Sequence, residues 1–109
     1  MNWRDEINSE FARAKEAELH GNQGKVRTSA RRAVGIAIVE LEKQFPEKKY
    51  GRDFMTQLRS FALDPTIPEH IRNAADRLQA RLSPEFDSPS KHPIEDAGII
   101  VQFILERLS

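Results

Sequence analysis

Positive charge is concentrated where one predicted helix begins, because Lys25, Arg27, Arg31 and Arg32 fall within eight residues. Cations are mildly unfavourable at a helix N-terminus, where the helix dipole attracts anions. This charge therefore needs a partner, which is either a carboxylate of this chain or of a second copy, or an external phosphate. We identify the four residues as a candidate site for binding an anion or a nucleic acid.

A second pair that could do chemistry is Arg13 and His20, seven residues apart and hence on nearly one face of a helix. Histidine could act as general acid or base and arginine could stabilise a pentavalent phosphate, which together would cleave RNA. Both are expected opposite the apolar face of that helix, where such side chains are usually solvated. The sequence therefore favours a non-enzymatic role, and we assign no catalytic residue.

Other motifs point away from nucleotide and metal chemistry. Gly21–Lys25 ends in a Gly-Lys pair, but Val26 follows the lysine and the spacing is too short for a phosphate-binding loop, so an ordinary turn is expected. The chain has no cysteine, which excludes thiolate zinc sites. His70 and His92 lack the spacing of metal ligands. No metal and no cofactor is predicted.

Apolar spacing and helix stop signals predict an all-α antiparallel helical bundle of about five helices in a single domain, 1–109. Thr66 and Glu69 have capping-box spacing at the start of the fourth helix. Residues 83–92 hold two prolines and three serines, and we predict an exposed loop there. The expected helices span about 3–20, 24–45, 52–63 and 93–108, and the fourth follows the start signal 64–69 and continues to 82.

The residue types also predict caps and core positions. Asn2 is expected to cap the first helix and Gly21 to follow its end. The third helix is expected to bury Phe54, Leu58 and Phe61. The second helix has a predicted core stripe of Val26, Ala30, Ala33, Val34, Ala37, Ile38, Leu41 and Phe45.

The second helix is expected to be the centre of the fold, because it is apolar most of the way round. The last helix also carries apolar residues outside its core stripe. Such helices are buried on two sides, or buried on one and paired with a partner on the other. We therefore predict a self-associating binding or assembly module, a homodimer or another homo-oligomer, with a candidate interface at Ile36, Val39, Ile99 and Phe103.

Charge and hydropathy limit the location and the partners. Basic and acidic residues are equal in number, so no global field points to nucleic acid. The N-terminal residues are charged, which does not predict a signal peptide, and the longest apolar run, Ala33–Val39, is too short to span a bilayer. A cytoplasmic protein without a membrane partner is expected.

The first two predicted helices resemble a known family. Phe11–Ala17, Gly21–Asn22 and Ala30–Ala37 are similar to the opening helical hairpin of HEPN-type domains. The resemblance implies a dimerising bundle that binds nucleotides or a nucleotidyltransferase partner, or that cuts RNA through an arginine–histidine motif late in the domain. Arg13 and His20 match that motif only in the wrong helix, so the resemblance implies the non-catalytic branch.

Overall fold

Five α-helices make up the fold of residues 2–80 and 90–109, which the computed structural model describes. No strand occurs in these residues, and the predicted all-α helical bundle is confirmed. The predicted bounds of the last helix, 93–108, are also confirmed. The helices are α1 (Trp3–Leu19), α2 (Gln23–Gln44), α3 (Phe54–Ala62), α4 (Glu69–Gln79) and α5 (Pro93–Leu108).

A tight turn joins α1 to α2 as a helical hairpin. Gly21 has a φ of 71°, a left-handed conformation that glycine adopts without strain, and the amide of Asn22 donates to the carbonyl of Ala17 at 2.9 Å. The Asn22 side chain then accepts a hydrogen bond from the amide of Lys25 at 3.1 Å and caps α2. Asn2 caps α1 in the same way. The predicted roles of Asn2 and Gly21 are confirmed.

Helix α2 is the centre of the bundle, because it contacts α1, α3 and α5. Its predicted core stripe is buried, while Phe45 at its end is half-buried. The small side chains in this stripe let the neighbouring helices approach closely. The buried members of the stripe are Val26, Ala30, Ala33, Val34, Ala37, Ile38 and Leu41.

Two predictions about the third and fourth helices are wrong. Phe54 was expected in the core with Leu58 and Phe61, but it is 39% exposed, because it occupies the first position of α3 at the edge of the bundle. The predicted capping box is absent, since α4 begins after Pro68 without a side-chain cap. The Thr66 amide and hydroxyl instead donate to Asp64 Oδ1, at 2.9 and 2.7 Å, in a turn that precedes the helix.

The connection between α4 and α5 differs from prediction at both of its described ends. Helix α4 ends at Gln79 and Ala80 is extended, so the helix is shorter than expected. Arg81, Leu82 and most of the predicted loop 83–92 lie in 81–89, outside the described residues. Ser90, expected to be exposed, is buried, because its hydroxyl donates to Asp96 Oδ2 at 2.7 Å.

Within the described part of the chain, no helix combines the length and apolar character needed to cross a bilayer.

Candidate interaction surfaces

The predicted cationic site is built at the start of α2, and one of its members already has an internal partner. The Arg31 Nε donates to the carbonyl oxygen of Leu78 at 2.7 Å. That carbonyl lies in the last turn of α4, where backbone oxygens lack partners within the helix. Burial, followed by the charge of Arg27, lowers the pKa of Arg31 from its ordinary value. Arg31 therefore joins α2 to α4, and its partner is a backbone carbonyl rather than a carboxylate.

The other three cations remain available. Lys25 and Arg32 are exposed and Arg27 is half-buried. Among residues 2–80 and 90–109, none of the three side chains forms an ion pair or donates a hydrogen bond within the protein. An external anion can therefore reach this surface without displacing an internal partner.

The candidate catalytic pair is not brought together as a working unit. Arg13 donates to Glu10 Oε1 at 2.7 Å, one helical turn away and opposite in direction to His20. Glu10 is buried, so this ion pair neutralises a carboxylate that packs into the bundle. His20 is exposed at the end of α1. Nor does any group of three acidic or histidine side chains in the described residues have the geometry to hold a metal ion.

The four predicted interface residues lie in three different depressions of the surface. Ile36 and Val39 share one, Phe103 lines a second and Ile99 lines a third. Ile36, Ile99 and Phe103 are partly buried and pack against the core, whereas Val39 is 39% exposed. Most of the apolar excess on α2 and α5 is therefore used within the bundle, and Val39 is the one of these four side chains that is exposed.

The α2–α3 cleft is the depression that holds Val39, and it has a volume of about 250 Å³. The ring of Phe54 rests on the backbone of α2 at Gly35, where a Cβ atom would overlap the ring. A helical glycine is thus required by this contact. The cleft is lined by Gly35, Ile36, Val39, Arg52, Asp53, Phe54 and Gln57.

Gln57 lines this cleft and has a buried hydrogen-bond acceptor that is not used. The residue is 3% exposed, and its Nε2 donates to the carbonyl of Gly51 at 3.2 Å. Its Oε1 has no partner, alone among the buried side-chain polar atoms of the described residues. This acceptor was missed in the sequence, because its isolation depends on how α3 packs against α2.

The α2–α5 cavity lies on another side of α2 and has a volume of about 390 Å³. Its lining is mostly apolar, with charged side chains among its members. The lining residues are Leu41, Phe45, Glu47, Lys48, Thr66, Ile67, Phe103 and Arg107.

A polar network centred on Asp64 lies beside this cavity and contributes Lys48 and Thr66 to its lining. The Asp64 Oδ2 accepts from the Tyr50 hydroxyl at 2.6 Å and from Lys48 Nζ at 2.9 Å, and Lys48 also donates to the Thr66 hydroxyl at 2.7 Å. Burial alone would raise the pKa of Asp64, but the hydrogen bonds from Tyr50, Lys48 and Thr66 outweigh it and hold that pKa well below its usual range.

The same contacts act on Tyr50 in the opposite direction. Burial, then the hydrogen bond to Asp64 and the charges of Asp64 and Glu42, raise the pKa of the Tyr50 hydroxyl well above its ordinary value. The positive charge of Arg107 partly offsets this rise. Tyr50 therefore stays a neutral donor to Asp64.

The third depression contains a structural ion pair. Arg77 donates to both carboxylate oxygens of Asp96, at 3.2 and 2.7 Å, and Ser90 donates to one of them. The hydrogen bond to Asp96 raises the pKa of Arg77. These contacts fix the start of α5 against α4, which accounts for a buried acid in that helix.

Comparison with known proteins adds no family to this geometry: no family model, no curated protein and no solved structure matches the chain. The similarity of its first two helices to HEPN-type domains stays a prediction.

Proposed function

We propose that this protein is a self-associating binding module that forms a homodimer through the α2–α3 cleft. The observation that carries the proposal is the open apolar cleft with the exposed side chains of Val39 and Phe54, beside which Gln57 Oε1 is buried without a partner. A buried acceptor without a partner costs about 1–3 kcal/mol. A second chain would cover Val39 and Phe54, and where its docking opens the cleft around Gln57 it could also supply a donor and recover this free energy.

The charges at the rim of the cleft favour a second copy of this chain as the partner. Arg52 and Asp53 are adjacent, exposed and of opposite sign. In a two-fold dimer the same patch meets itself, so a patch with both signs is complementary to its own copy. Arg52 forms no ion pair with the residues that the structure describes. If the cleft opens on association, its guanidinium can supply the donor that Gln57 Oε1 of the other copy lacks.

Sedimentation equilibrium from low to high micromolar concentration tests the proposal. We expect a monomer–dimer equilibrium for the wild type and a dissociation constant raised about 30-fold or more by Val39→Asp, because a charge would enter the apolar centre of the interface. Leu63→Asp is the matched control, since Leu63 is 75% exposed and lies outside the cleft. A wild type that stays monomeric at every concentration would exclude the dimer.

Gln57→Met tests the observation itself. Methionine keeps a flexible side chain of similar length and removes the acceptor, so one interface hydrogen bond is lost. We expect the dissociation constant to rise about tenfold. A dimer that forms equally well with methionine, while Val39→Asp disrupts it, would mean that the cleft is the interface but that Gln57 Oε1 receives no donor.

A second candidate function, nucleic-acid binding at the start of α2, is favoured by Lys25, Arg27 and Arg32, which have no ion-pair partner among the described residues. Fluorescence anisotropy with a labelled single-stranded RNA should show affinity that falls steeply between about 50 and 200 mM salt. Arg32→Gln should weaken binding, whereas Lys49→Gln in the exposed α2–α3 connection should not. Arg31 is unsuitable for this test, because its loss also frees the end of α4. Binding that is absent or insensitive to salt removes this candidate.

Either activity is compatible with the cytoplasm, because a chain without cysteine has no disulfide that reducing conditions could break.

A further inference from the structure

The α2–α5 cavity keeps apolar surface in contact with water. Phe45 and Phe103 line it and are only half-buried, while Leu41 and Ile67 close its floor. Its volume of about 390 Å³ lies within the range of roughly 300–1,000 Å³ that is typical of small-molecule sites. A ligand with an apolar body would remove the exposed parts of the two rings from water.

The charged groups around the cavity decide what kind of ligand fits. Lys48 is already engaged with Asp64 and Thr66. Arg107 lies over the Phe103 ring, with its Cζ 5.4 Å from the ring centroid, and forms no ion pair with a described carboxylate. Glu47 also lines the cavity and is exposed, so it can turn toward solvent.

Two lining residues, Lys48 and Thr66, are held in place before any ligand binds by the network behind them. The Asp64 carboxylate holds Tyr50, Lys48 and Thr66 through hydrogen bonds of 2.6–2.9 Å. The Tyr50 ring also packs against Phe61, with 5.5 Å between ring centroids. Preformed lining residues lower the ordering cost of binding.

We infer that the α2–α5 cavity binds a small amphipathic carboxylate, with its aryl or acyl body on Phe45 and Phe103 and its anionic group on Arg107. The guanidinium fork pairs with a carboxylate through two parallel hydrogen bonds, which a neutral ligand of the same shape cannot accept as strongly. This site is independent of the α2–α3 cleft, because the two share no lining residue.

Isothermal titration calorimetry with phenylbutyrate and its uncharged analogue phenylbutanol tests the inference on the full chain. We expect saturable binding of phenylbutyrate at one site per chain and about tenfold weaker binding of phenylbutanol. Arg107→Gln should lower the phenylbutyrate affinity about tenfold and leave phenylbutanol unchanged. Absence of saturable phenylbutyrate binding, or equal affinity for the two ligands, would overturn the inference.

Arg4→Gln is the matched control. Arg4 also lies over an aromatic ring, 4.6 Å from the centroid of Trp3, but it lines a different depression. Both affinities should be unchanged in this variant, and an effect equal to that of Arg107→Gln would overturn the assignment. In the wild type, phenylbutyrate should shift the amide resonances of Ile67 and Phe103. Shifts centred on Trp3 would place the ligand elsewhere.

Discussion

The α2–α3 cleft and the α2–α5 cavity both border α2 and both expose apolar side chains. They differ in whether the polar groups next to them have hydrogen-bond partners. Beside the cavity, the Asp64 carboxylate accepts from three side chains, of which Lys48 and Thr66 line the cavity, and every member of this network is paired. In the cleft, Gln57 keeps a buried oxygen without a donor. A satisfied network stabilises the isolated chain, whereas an unsatisfied acceptor leaves free energy for a partner to recover.

The largest expected effect on stability comes from removing the acceptor of the Asp64 network beside the α2–α5 cavity. Asp64→Ala leaves the buried Tyr50 hydroxyl without its acceptor and Lys48 without its counter-ion, so we expect the free energy of unfolding to fall by about 2–4 kcal/mol. Urea denaturation of the monomer at low protein concentration measures this change.

Urea denaturation of a variant in the α2–α3 cleft provides the contrast. Gln57→Met removes an acceptor that has no partner, at the cost of one hydrogen bond to Gly51, so the monomer should change by no more than about 1 kcal/mol in either direction. Equal losses for Asp64→Ala and Gln57→Met would show that the two sites do not differ in the way described.

At the glycine under Phe54 we expect a loss of stability smaller than that of Asp64→Ala. Gly35→Ala introduces a Cβ that overlaps the Phe54 ring, and we expect a loss of about 1–3 kcal/mol despite the better helix propensity of alanine. Gly98→Ala in α5 is the control, because a Cβ there meets no neighbouring atom. It should stabilise the protein by up to about 1 kcal/mol. If both variants gain stability, Phe54 does not rest on α2 as described.

The pH dependence should separate the two sites with a still smaller effect. Because the pKa of Tyr50 is raised on folding, its contribution is complete below about pH 10 and is lost as the pH rises above that value. Tyr50→Phe should remove this alkaline loss of stability. Tyr50 is the only tyrosine, so tyrosinate absorbance follows it directly. A tyrosinate signal with an ordinary midpoint in the folded protein would contradict the network.

The loss of stability at low pH involves carboxylates at both sites and therefore does not distinguish them. The pKa of Asp64 is lowered by its hydrogen bonds against the effect of burial, and that of Asp53 in the cleft is lowered chiefly by the hydrogen bond from the Thr56 amide. Both contributions to stability are present above about pH 4 and are lost as the pH falls below it.

The sequence predicted what depends on local spacing. The α2 core stripe, the caps at Asn2 and Gly21 and the bounds of α5 follow from helical periodicity and from turn chemistry between near neighbours. Phe54 failed the same reasoning, since periodicity places a residue on a face but does not show that the helix starts at the edge of the bundle.

The candidate sites depended on contacts that spacing does not encode. The partner of Arg31 is a carbonyl at the end of another helix, and the partners of Asp64 come from two separate connections. The isolation of Gln57 Oε1 is likewise a result of packing between α2 and α3. Residue type alone could suggest that Arg31 needs a partner, but not that a backbone group supplies it.

The hydrogen bond from Arg31 to Leu78 also has a consequence for the order of folding. It joins residues 47 positions apart, whereas the α1–α2 hairpin closes over a short turn. Long-range closure costs more chain entropy and slows folding, so local contacts are favoured as the first to form. Arg31 lies on α2, which takes part both in the hairpin and in the contact with α4. A hairpin that forms early would therefore position the Arg31 guanidinium before the end of α4 packs against it.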